Sequence, residues 1–172
     1  MNCRNCGQQN PDNARFCQSC GMPIDDAAGA LDMGWHRFIV NFALIASAIY
    51  NAYQGIVLAF GFGYGTDREF VYRAYPGLQL VDALYGIALI CSGGLCFYLR
   101  MRLKNFKANG PALVPLLYAF NILTVVLYLV AVSAMAGIDP VGVATVANIG
   151  ASIAMGAINT SYYKKRKHLF VN

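Results

Sequence analysis

Hydrophobic positions in this chain neither alternate with polar ones nor recur at the spacing of a surface helix; they run together. Four stretches, at about 38–61, 78–99, 112–136 and 141–163, hold most of the apolar residues. The shortest, 78–99, has 22 residues, and about 20 helical residues cross a hydrocarbon core of about 30 Å. Runs of this length without alternation do not suit a membrane barrel. Buried helices of a soluble bundle would each need a charged outer face, and Asp82 is the one charged side chain inside any of the four. The pattern predicts an all-α membrane protein, with a bundle of four transmembrane helices within 35–172. The last link, 137–140, is so short that the third and fourth helices form an antiparallel hairpin, with Pro140 suited to a helix start.

Charge orients the bundle. Arg4, Arg15 and Arg37 precede the first stretch, Arg100, Arg102, Lys104 and Lys107 lie between the second and third, and Lys164, Lys165, Arg166 and Lys167 follow the fourth. With four spans these regions share one side, leaving only Arg68 and Arg73 on the other. Basic residues near span ends stay cytoplasmic, so both termini are expected inside a cell membrane, and the basic runs are expected to meet anionic lipid rather than nucleic acid. No signal-peptide pattern opens the chain, so the first span is expected to be an uncleaved anchor. Composition agrees. The chain of 172 residues is 58% hydrophobic and 12% charged, with mean hydropathy +0.47 and net charge +5. Soluble domains carry about 25% charged residues, and disorder needs low hydrophobicity, so both classes are excluded.

The first 22 residues are different. Cys3, Cys6, Cys17 and Cys20 form two C-x-x-C-G turns, each followed by a glycine, Gly7 and Gly21, that tolerates positive φ. Each pair grips a metal from a tight turn, and four sulfurs suit one tetrahedral, structural zinc ion with no open position for water. Asn10-Pro11-Asp12-Asn13 supplies turn chemistry between them. So short a segment builds no core of its own, so metal binding must supply its folding energy. Two disulfides would need an oxidising compartment; iron in the same cage is the other occupant, and zinc suits the ligands best. The CRNCG and FCQSCG turns resemble the short zinc-ribbon domain at the amino terminus of many bacterial membrane proteins. The motifs AYPGLQLVDALYG at 74–86 and NTSYYKKRKHLF at 159–170 resemble four-helix membrane proteins of Gram-positive bacteria that carry such a ribbon. That resemblance implies no catalytic residue. Residues 23–34 form a linker without an apolar face, so ribbon and bundle are expected to have separate cores.

Each span carries a polar stripe. Asp82 lies about 8 Å inside its span from the outer boundary, where water or Arg73 can reach it, and its face continues through the small Gly86 and Gly93. Ser47, Asn51 and Gln54, then Asn121, Thr124 and Tyr128, then Thr145, Asn148, Ser152, Gly156, Asn159 and Tyr163 mark the other helices. Asn51, Asn121 and Asn148 fall near mid-membrane, and all four stripes are expected to meet inside the bundle. Two readings stay open: interhelical hydrogen bonding, or a conduit for an ion or small solute. Cys91 and Cys96 do not share a face, and His36 and His168 flank spans as interfacial residues. No acid, base and nucleophile converge, so no enzymatic activity is expected. The leading expectation is a multi-pass membrane protein displaying a cytoplasmic ribbon as a docking module. The alternatives are a small transporter or channel subunit using Asp82 and the asparagines, and a zinc or redox sensor.

Overall fold

The computed structural model describes residues 1–3, 5–12, 14, 16–22, 24, 33–137 and 142–171. After the amino-terminal module come α1 (Gly34–Phe38), a π-helical turn (Ile39–Ala43), α2 (Leu44–Ala59), a 3-10 segment (Phe62–Asp67), α3 (Arg68–Ala74), α4 (Leu78–Lys104), α5 (Gly110–Ala136), α6 (Val143–Lys165) and a closing 3-10 turn (Lys167–Leu169). Among the described residues there is no strand, only an isolated bridge between Asn2 and Gln9. Most of the 23–34 linker and the Pro140 turn lie outside the described residues.

Three stretches, Gly34–Ala74, Leu78–Lys104 and Gly110–Ala136, are long and apolar enough to cross a membrane. Their outward faces suit that setting. Phe42, Ile49, Tyr53, Leu84, Leu127 and Val130 are exposed, a spread of large apolar side chains that water would not tolerate on one small chain. α6 is a helix of 23 residues in the expected place, but it is not among these three.

The helices pack in the order α2, α4, α5, α6. The α2–α4 contact depends on glycine. A Cβ on Gly86 would lie 2.6 Å from the Gly55 carbonyl oxygen, and one on Gly93 2.9 Å from that of Ala48. The backbones therefore touch, as small residues allow between membrane helices. α6 approaches α5 at Gly156, where a Cβ would meet the Tyr118 ring carbon at 3.1 Å. At the basic end, Arg100 Nε donates to the Val40 carbonyl of the π-helical turn at 2.9 Å, tying α4 to the entry of the first helical stretch.

The connection at 62–77 folds into the 3-10 segment and α3. α2 stops at Gly61, whose φ of +67° is left-handed. A side chain there would also strike Tyr72, whose hydroxyl lies 2.5 Å from the Cβ position. The expectation of two separate cores is not met. Phe16 of the amino-terminal module packs on the cluster built from Met33, Ile39, Leu99, Leu103, Phe106 and Phe170, because the module is too small to bury that ring by itself.

Gly86→Ala is expected to destabilise the bundle by about 1–3 kcal/mol, the usual cost of overpacking. Gly94→Ala, on the same helix with nothing within 4 Å of its Cβ position, is expected to be neutral. Unfolding titrations of both variants in mild detergent check the contrast; equal effects would contradict a backbone-close α2–α4 crossing.

Candidate metal centre and the buried carboxylate

The two cysteine turns are built alike. Cys3 N donates to Gln8 O at 2.9 Å and Gly7 N to Cys3 O at 2.9 Å; Cys17 N donates to Met22 O at 2.7 Å and Gly21 N to Cys17 O at 2.8 Å. Gly7 and Gly21 have φ of +73° and +70°, as the C-x-x-C-G pattern requires. Asn10, buried, braces the second turn: its amide nitrogen donates to Gln8 O at 2.7 Å and its oxygen accepts from Gln18 N at 2.9 Å. Met1 closes the module through Asn10 O at 2.7 Å and Asp12 Oδ1 at 2.9 Å.

This frame brings Cys3, Cys6, Cys17 and Cys20 together with all four sulfurs within 4.8 Å of one another. The pairs Cys3–Cys20 and Cys6–Cys17 stand 3.5 Å apart, far beyond a disulfide bond of about 2.05 Å. A tetrahedron with Zn–S arms of about 2.3 Å has edges of about 3.8 Å, so the donor set fits one ion. Residues 2–24 match the zinc-ribbon domain family. The amino terminus of this chain is a zinc ribbon, its four cysteines clustered for one metal ion. No curated protein and no solved structure matches the chain.

The ribbon's electrostatics favour a cation. Burial raises the Cys17 thiol, yet the N–H groups of Cys20 and Ser19 and the Asn10 side chain outweigh it and hold the thiol down at about 6. For Cys6 the Gln8 N–H acts downward, but the neighbouring sulfurs of Cys20, Cys17 and Cys3, with burial, push it up to about 12. One thiolate forms readily and the last does not, because adjacent negative sulfurs repel. A divalent ion removes that repulsion and supplies structural cohesion. The four sulfurs would hold it with no open position.

At the far end of the bundle lies Asp82, fully buried in the second turn of α4. Three hydroxyls donate to it: Tyr64 to Oδ2 at 2.9 Å, Tyr72 to Oδ2 at 3.1 Å and Tyr128 to Oδ1 at 3.0 Å. They come from the 3-10 segment, α3 and α5. Of the two neighbours the sequence allowed, water or Arg73, Arg73 stays away; it pairs with Glu69 at 3.5 Å, and both are exposed. An exposed guanidinium stays hydrated, whereas a tyrosine brings its donor on an apolar ring. Tyr64 and Tyr72 sit in the link between the first two apolar stretches, outside the polar stripes. Tyr128 belonged to a polar stripe, which was the available signal. Its ring stacks on Tyr85 with centroids 4.4 Å apart.

The mid-bundle residues divide. Asn51 Nδ2 donates to Ser92 Oγ at 3.3 Å, and Ser92 donates to Asn121 Oδ1 at 2.5 Å, joining α2, α4 and α5. Asn148 is exposed, contrary to expectation. It shares a face with Gly156 and Asn159, which are buried, but at Asn148 the neighbouring Val146, Ala147, Gly150 and Ala151 are exposed too. Asn159 takes the place expected of Asn148, accepting from Trp35 Nε1 and donating to Tyr118 Oη, both at 2.8 Å. His36 is not interfacial. It is buried, 3.1 Å from the Tyr163 hydroxyl and against the Phe106 and Phe170 rings, which enclose it where the basic end closes.

Freshly purified chain is expected to contain one zinc per molecule by elemental analysis, and Cys17→Ser to lose it; metal-free wild type would contradict the site. Tyr72→Phe is expected to cost about 1.5–3 kcal/mol, as for a hydrogen bond to a charged group. It should speed amide exchange in α3 and leave exchange in α6 unchanged; unchanged exchange in α3 would contradict the tie.

Proposed function

We propose that this chain is a non-catalytic multi-pass membrane protein that displays a structural zinc ribbon at the cytoplasmic surface as a docking module for a protein partner. One observation carries the reading: the two knuckles of the ribbon are used differently. Around the second, Cys17 is buried, Phe16 packs on the bundle, and a Cβ on Gly21 would sit 3.3 Å from the Phe106 ring. The first turns outward, with Asn5, Cys6, Gly7, Gln8 and Gln9 all exposed. One face fixes the ribbon; the other is a polar surface, suited to a protein partner.

The reading includes α6 as a fourth span. Its 23 residues reach about 34 Å, and its polar Asn159 is satisfied within the bundle. Four spans place both termini and 100–107 on the cytoplasmic side, where Lys104, Lys164, Lys165 and Lys167, all exposed, meet anionic lipid. The likeness of 74–86 and 159–170 to four-helix membrane proteins of Gram-positive bacteria belongs to the same reading. A zinc- or redox-sensing role has one observation in its favour: Phe106, which meets the second knuckle, has a left-handed φ of +48° and contacts His36 and Phe170. Loss of the metal would then reach the bundle. Transport has less support, since Asp82 is enclosed by three tyrosines that satisfy it.

A photo-crosslinking residue at Gln8 is expected to give a discrete adduct with a cytoplasmic protein in native membranes, abolished by Cys17→Ser; adducts only to lipid would overturn the docking role. Reporter fusions after Lys107 are expected to read cytoplasmic and after Thr66 external, and a cytoplasmic reading at Thr66 would overturn the orientation.

A further inference from the structure

A cleft of about 240 Å³ lies between the start of the first helical stretch and α6, backed by α4 and α5. Trp35, Phe38 and Tyr50 line it on one side and Ser152 and Met155 on the other, with Asn51 and Asn121 at its inner wall. The order α2, α4, α5, α6 leaves α2 and α6 as the outer members, so the cleft faces the bilayer between them. The hydrogen bonds from Trp35 to Asn159 and from Asn159 to Tyr118 cross it near the basic end.

Its chemistry is selective. No charged side chain lines the cleft, so an ionic headgroup would enter without a counter-charge, at a cost of several kcal/mol after relaxation. The polar groups left over include donors. Asn121 uses its oxygen to accept from Ser92, and its amide nitrogen has no hydrogen-bond partner among the described residues; nor has the Ser152 hydroxyl. Unused donors in an apolar surrounding call for an acceptor, because a polar group without a partner there costs about 1–3 kcal/mol. The volume falls below the roughly 300 Å³ at which pockets for drug-sized ligands begin, enough for a headgroup and the first part of one chain.

We propose that this cleft binds an uncharged lipid that presents a carbonyl or hydroxyl oxygen to Asn121 and Ser152, with its tail leaving between α2 and α6 into the bilayer. The proposal rests on the reading of α6 as a fourth span and is independent of the docking role.

The test uses the full chain in phosphatidylcholine vesicles with two photoreactive probes: a monoacylglycerol with a diazirine in the first part of its chain, next to the headgroup, and a diazirine alkane of the same length. The monoacylglycerol is expected to label Trp35–Asn51 and Ser152–Asn159 peptides, and the alkane to label the outward residues Phe42, Leu84 and Leu127 without enrichment in the cleft. Asn121→Leu is expected to lower cleft labelling about tenfold, as for one lost hydrogen bond at the upper end of its usual worth. Met155→Trp, which fills the cleft and leaves every hydrogen bond named here in place, is expected to lower it as well, so a folding defect in the first variant cannot decide the outcome. Equal labelling of the cleft by both probes, labelling by neither, or persistence of monoacylglycerol labelling in both variants would overturn the proposal. Failure of the alkane to label Phe42, Leu84 and Leu127 would overturn the membrane reading itself and this proposal with it.

Discussion

A carboxylate that has left water must find its donors inside the protein, and at Asp82 that requirement organises one end of the bundle. Three tyrosine hydroxyls converge on its two oxygens. Each arrives from a different element, so the 3-10 segment, α3 and α5 are all fastened to α4 at one point. Hydrogen bonds to a charged acceptor are stronger than neutral ones, and in an apolar surrounding the unpaired alternative is costly. The segment between α2 and α4 is therefore folded down over the acid rather than left as a free loop. Gly61 makes room for Tyr72 to reach it, and the stacking of Tyr85 on Tyr128 holds the third donor in place.

The same constraint recurs with other means along the molecule. Amides and a serine join α2, α4 and α5 at mid-bundle, and Trp35, Asn159 and Tyr118 join the first helical stretch, α6 and α5 nearer the basic end. Glycines set the distances over which these short side chains can meet, since Gly55, Gly86 and Gly93 let α2 and α4 touch along their backbones. At the basic end the ribbon takes its cohesion from four sulfurs around one metal ion. It takes its position from Phe16 and the Gly21–Phe106 contact, so a module with almost no core borrows that of the bundle.

The ribbon was legible in the sequence because its chemistry is local: spacing alone brings Cys3, Cys6, Cys17 and Cys20 together, and Gly7 and Gly21 supply the φ that the turns need. The apolar stretches were legible because a membrane demands length and composition over a whole helix. What escaped was relational. Asp82 was visible as an anomaly, but its partners Tyr64 and Tyr72 sit in a link whose fold depends on the acid they bind. The Asn148 stripe was placed on the right face of α6, yet whether a face is covered depends on what packs against it, and this one is buried at Gly156 and Asn159 but not at Asn148. His36 looked interfacial because it flanks a span; the aromatic rings that bury it come from positions 106, 163 and 170.

The account turns on Asp82 and its tyrosines acting as one hydrogen-bonded unit, and a double-mutant cycle on Asp82→Asn and Tyr64→Phe measures that directly. Both variants preserve shape, so unfolding free energies in lipid or mild detergent report the interaction and little else. The account predicts a coupling of about 1 kcal/mol or more between the two sites, within the range for residues in direct contact. Additivity to within about 0.3–0.5 kcal/mol, as for distant independent sites, would contradict it.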